Sequence, residues 1–256
     1  MQGAIAHSDQ QRRLPRRRRG EARQDEQHDE GKGAGGKEAP WSGFAMGKGG
    51  KGEGKDPASQ RYVEMNRQIV HSADDKTKFS SFLDHLINDK VKLDTGNIVT
   101  ILQRGAKLRL SLSAQVVRFL GATLNEAHCT AILRARYVGD ALYGLQRLGD
   151  SKEARQLVAA LTPKVQDCRE ELDAQAVGNA LYGLQRLCDS EEVRQLLAAL
   201  TPKVQQCREE LKKHDISYAI SQLVHVSDSD EVRELLFVFL QEGLERAFEK
   251  HRSLWI

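Results

Sequence analysis

Three related strings, GNIVTILQR from Gly96, GDALYGLQR from Gly139 and GNALYGLQR from Gly178, each end on an arginine: Arg104, Arg147 and Arg186. Stacked copies of one unit would align these guanidiniums along an edge that can follow phosphates, although an arginine closing a helix also answers the helix dipole. Position 225 carries His, so the series fades at the next unit. Asn179, with Asp140 as its counterpart, can read a base edge or bond backbone at an inter-repeat turn. Tyr143 and Tyr182 can stack on bases or pack between helices. Residues 96–138 hold Arg104, Lys107, Arg109, Arg118, Arg134 and Arg136 against Glu126 alone, a net +5 suited to phosphate contact.

Other chemistry lacks its signatures. No GxSxG, HExxH or phosphate-cradling glycine motif occurs, and Gly47–Gly54 lacks the closing GK[ST] of a nucleotide loop, so neither an enzyme nor a cofactor is expected. The eight histidines are scattered and no CxxC pair appears, so no metal site is predicted. Cys168 and Cys207 are in phase with an apolar stripe, which places them in the core. With no apolar leader segment before its arginines, the chain is expected in a reducing compartment.

The elements that would hold these residues are helical. Aromatics make up only 5% of the 256 residues, and Leu, Ala, Arg, Glu and Gln are abundant. The longest apolar runs, such as Leu235–Leu240, fall far short of the roughly 20 residues of a membrane span. Gly139–Leu172 and Gly178–Leu211 are offset by 39 residues and differ at six positions. A degenerate third copy repeats Asp189, Ser190, Val193 and Arg194 as Asp228, Ser229, Val232 and Arg233. Helical patterning at this period predicts an all-α, right-handed α-solenoid of about four helix-pair repeats. The expected layout is leading helices over 59–95 and repeats over about 96–138, 139–177, 178–216 and 217–256.

Residues 1–58 hold the run Arg16–Arg19 and a Gly/Lys segment but almost nothing apolar, and read as a disordered basic tail. The run Arg12–Arg19 could serve as a nucleic-acid clamp, an import signal or a solvated linker, and Met46 is a second possible start.

Within the second clean unit, Val177, Leu181, Leu184 and Leu187 form one stripe behind Asp173, predicting a first helix over about 174–187. Ser190 with Glu191 and Glu192 opens a second. Thr201 and Pro202 read as a new helix start, but the stripe Val193, Leu197, Leu200, Val204, Cys207, Leu211 keeps phase through the proline. One kinked helix over 191–211 is therefore expected, with Pro163 acting alike one unit earlier. Gly139, Ala141 and Gly144 recur as Gly178, Ala180 and Gly183, a repetition that suggests close helix approach. A last helix over about 230–251 carries enough apolar residues to demand burial.

The segment DAQAVGNALYGLQ, Asp173–Gln185, resembles the octotricopeptide and heptatricopeptide repeats of FAST-kinase-like and RAP-type organellar proteins. Gln175, Val177, Gly178, Asn179, Leu181 and Tyr182 fill the family's places, with Tyr182 where Trp is usual. Leu93–Leu108 resembles the first repeat of those proteins and Ile69–Leu86 its leading helix pair, so the likeness covers about residues 60–250 with no RAP module after it. It implies binding of single-stranded RNA in a mitochondrion or plastid, with effects on transcript processing, stability or translation, and it adds Gln175 to the candidate RNA contacts. A scaffold of armadillo or HEAT type gripping a protein partner is the alternative, favoured by the net −5 of residues 139–256. Neither reading involves a membrane or a small-molecule substrate.

Overall fold

The computed structural model describes residues 57–211, 216, 217, 220, 221, 223 and 228–252. The tail expected over 1–58 lies outside these residues except for Pro57 and Ala58, which open the first helix. Arg12–Arg19, Met46, Gly47–Gly54 and His225 also lie outside. No strand occurs among the described residues.

The helices are α1 (Pro57–Ser72), α2 (Lys76–Asn88), α3 (Thr95–Lys107), α4 (Ala114–Leu124), α5 (Ala135–Gly144), α6 (Lys152–Gln166), α7 (Ala174–Leu184), α8 (Glu191–Gln205) and α9 (Asp230–Arg252). Most begin where a short polar side chain can accept an orphan N–H. Asp75, Asp94, Ser113, Ser151, Asp173 and Ser190 all do so, and Asp94 and Asn97 form a reciprocal capping box. Arg134 precedes α5 and supplies no such acceptor.

Packing skips one helix at each step. In one row α1 packs on α3, α3 on α5 and α5 on α7; in the other α2 packs on α4, α4 on α6, α6 on α8 and α8 on α9. This is the stacking expected of an α-solenoid, and each apolar stripe is covered by the next unit. The starts of α5 and α7, and of α6 and α8, are 39 residues apart. The structural units open at Asp94, Arg134 and Asp173, so the boundaries drawn at Gly139 and Gly178 fall inside α5 and α7. Enclosed between α1 and α5, helix α3 buries every residue except Arg104 and Lys107.

Glycine sets the spacing of the first row. A Cβ on Gly183 would lie 1.8 Å from the Leu142 carbonyl oxygen, and one on Gly144 would lie 2.4 Å from Leu102 Cβ. No side chain fits where the α5 and α7 backbones touch.

Polar bonds between and within units repeat as well. Lys164 Nζ donates to the Cys129 carbonyl, and Lys203 Nζ donates to the Cys168 carbonyl at 2.5 Å. Glu170 accepts from the Ala135 N–H at 3.1 Å, and Glu209 accepts from the Ala174 N–H at 3.0 Å. Each carboxylate thus reaches back from the end of its unit to cap that unit's first helix, and Glu170 supplies what Arg134 cannot.

Helices α6 and α8 run unbroken through Pro163 and Pro202, as the apolar phase predicts. Both prolines are exposed, as are Ala159 and Ala198, whose carbonyls lose a donor, so water can replace the missing bonds. Beside each proline a buried threonine bonds back along the helix, Thr162 to the Val158 carbonyl and Thr201 to the Leu197 carbonyl. The predicted extent to 211 is corrected: α8 ends at Gln205. Cys207 and Leu211 keep phase from a trailing loop that folds back on the array, leaving Leu211 buried and Cys207 half-buried. Helix α7 likewise stops at Leu184, short of 187.

Candidate nucleic-acid interface

The first row carries most of the residues singled out from sequence. Tyr143 on α5 and Tyr182 on α7 stack on one another, with centroids 5.7 Å apart and planes inclined by 21°. The packing role weighed for them is therefore real. Tyr182 nonetheless remains 37% exposed, so the pair forms part of the surface. Equivalent positions along the row are Thr100, buried and bonded to the Gly96 carbonyl, and Ser221.

The arginine series is less regular than its spacing implies. Arg104 lies within α3, which runs on to Lys107; Arg147 closes a tightened 3-10 turn, Leu145–Arg147; and Arg186 lies past the end of α7. Arg104 and Arg147 are half-buried and Arg186 is exposed. None of the three forms an ion pair among the described residues. The contrast with the other row is sharp, because Arg155, Arg194 and Arg233 recur with the same period there. Each of these binds an aspartate five residues earlier: Asp150 at 2.7 Å, Asp189 at 2.8 Å and Asp228 at 2.9 Å. One set of repeated guanidiniums is neutralised and the other is not.

The Asn179 column divides. Asn97 serves the fold, with its amide donating to the Tyr62 carbonyl of α1 at 3.0 Å. Asp140 is buried at the α3–α5 junction, where desolvation pushes its carboxyl above the usual range against the opposing influence of the Gln103 amide and the charges of Arg136, Lys107 and Arg104. Asn179 itself is half-buried, and nothing among the described residues hydrogen-bonds to its amide.

The remaining candidates scatter. Arg136 joins the Asp140 cluster with Nε 3.9 Å from the carboxylate, and Arg134 lies 3.8 Å from Glu170. Arg118 belongs to α4 in the other row and is bound to Glu153 at 2.7 Å. Arg109 sits in the α3–α4 loop at φ +53°, and Gln175 is exposed in the first turn of α7. Gln103 is not among the predicted contacts, although the shared LQR string points to it, and Lys107, predicted only as part of the basic segment, is exposed at the end of α3.

Cys129 and Cys168 are buried, and desolvation pushes both thiols up, which suits a core role. Cys188 is exposed. Among the described residues no group of three His, Cys, Asp or Glu is placed to hold a metal ion, and no helix is long and apolar enough to cross a membrane. No family model, curated protein or solved structure matches the chain.

Proposed function

We propose that this is a non-enzymatic RNA-binding helical-repeat protein that takes single-stranded RNA along its first row, α1, α3, α5 and α7. The observation that carries the reading is the set of unpaired repeated guanidiniums, Arg104, Arg147 and Arg186, in the row that presents the Tyr143–Tyr182 stack. Phosphates supply most of the affinity for nucleic acid and need cations not already held by carboxylates. Aromatic rings at the same surface offer stacking platforms that tolerate any base. The octotricopeptide-like strings point to the same ligand and to a role in organellar transcript processing, stability or translation.

The test compares two triple alanine variants of the full chain for binding to random single-stranded RNA. Replacing Arg104, Arg147 and Arg186 is expected to weaken binding at least tenfold and to lower the salt slope by about 2, since each single-strand contact contributes about 0.7. Replacing Arg155, Arg194 and Arg233 is expected to leave both unchanged. Equal effects from the two variants would remove the assignment to the first row.

A further inference from the structure

The α3–α5 junction holds three side-chain atoms that are buried and have no hydrogen-bond partner among the described residues: Gln103 Oε1, Arg104 Nε and Asp140 Oδ2. Gln103 and Asp140 are only 4% and 5% exposed. Folded chains leave few such atoms unpaired, and three in one neighbourhood point to a ligand that completes them. The set comprises two acceptors and one donor. Beside it stands Arg136, whose Nε is 3.9 Å from Asp140 Oδ2 and whose side chain is 77% exposed. Tyr143, three residues beyond Asp140 on α5, borders the same face.

We propose that Gln103, Arg104 and Asp140 read one guanine of a bound single strand through its Watson–Crick edge, an inference that rests on the RNA reading above. Asp140 and Gln103 accept from N1–H and the N2 amino group, and Arg104 Nε donates to O6. Guanine alone among the four bases presents two adjacent donors beside one acceptor. Uracil and cytosine would each face an acceptor of this site with an acceptor of their own, and adenine would leave one acceptor unfilled. Entry requires Arg136 to leave the carboxylate for a phosphate. One unit on, Asn179 offers a donor and an acceptor in place of the carboxylate, so that unit carries no matching guanine preference.

The experiment is sequencing of RNA retained by the full chain from a random single-stranded pool, for wild type, Asp140→Asn and Asn179→Asp, with thermal melts of each. Wild type is expected to enrich guanine about tenfold at one position. Asp140→Asn is expected to abolish that enrichment while total affinity changes less than about threefold, and Asn179→Asp is expected to add a second guanine position. Retained RNA without guanine enrichment, or enrichment that Asp140→Asn leaves intact, overturns the inference while the RNA reading stands. Should Asp140→Asn fail to fold, the absence of a second guanine in Asn179→Asp overturns it instead. A chain that retains no RNA overturns the RNA reading and this inference with it.

Discussion

Asp140 occupies a place where one repeat-equivalent residue, Asn97, serves the fold and another, Asn179, is half-buried with its amide unbonded. Its carboxyl is raised by burial, so the folded state holds the proton more tightly than the unfolded chain does. The stability this group contributes is therefore complete below its unfolded pKa and is lost as pH rises through the folded value. Asn does not titrate. Asp140→Asn should thus stabilise the fold relative to wild type at neutral pH, and the gain should vanish in acid, as read from urea midpoints between about pH 3 and 7. The opposite trend would mean that Arg136, Lys107 and Arg104 together outweigh desolvation. The tyrosine pair makes a second residue-scale prediction: a double-mutant cycle of Tyr143→Ala and Tyr182→Ala should give a stability coupling of about 1 kcal/mol. If base stacking uses the same surface, Tyr182→Ala should also weaken RNA binding by about 1 kcal/mol or more. Burial of Asp140 could not be read from its string, because GDALYGLQR and GNALYGLQR differ there by one conservative exchange. The environment comes instead from α3, where Gln103 and Arg104 lie across the helix contact.

Helix starts were the most legible elements, since Asp173 and Ser190 cap the helices they were expected to cap. Helix ends were not. The apolar phase that carried 191–211 as one helix continues into a loop, because a chain folding back on the same array must present its apolar side chains just as a helix does. The recurrent glycines were legible as sites of close approach, and the structure supplies the partner backbone. Gly183→Ala should cost about 3 kcal/mol, because the α5 backbone rather than a flexible side chain stands in the way. Gly149→Ala offers the comparison: it has open space around it but sits at φ +67°, and should cost only about 1 kcal/mol. Equal losses in chemical denaturation would show that the α5–α7 spacing can relax. Asp173→Ala should cost about 1 kcal/mol through the lost cap, with Glu209 still holding the Ala174 N–H.

Across the described helices, stability belongs to neighbours, since each unit covers the stripe of the one before and its lysine bonds a carbonyl of that unit. The division of charge follows the two rows more closely than it follows the sequence. Read along the chain, residues 96–138 form one basic segment, yet the fold sends Arg118 to the second row and into a pair with Glu153. Period and fold class were legible because two copies remain nearly identical. The candidate binding face was less so: the aspartates stand five residues before Arg155, Arg194 and Arg233 in the sequence, but only the structure shows that they clamp those guanidiniums while Arg104, Arg147 and Arg186 form no ion pair among the described residues. The most direct test of the RNA reading is the affinity of the chain for random single-stranded RNA at two salt concentrations, after Arg16–Arg19 in the tail are replaced by alanine. Binding that survives the change and still weakens steeply with salt is the predicted result. Binding that disappears with the tail arginines would contradict the account and leave the repeats as a surface for a protein partner.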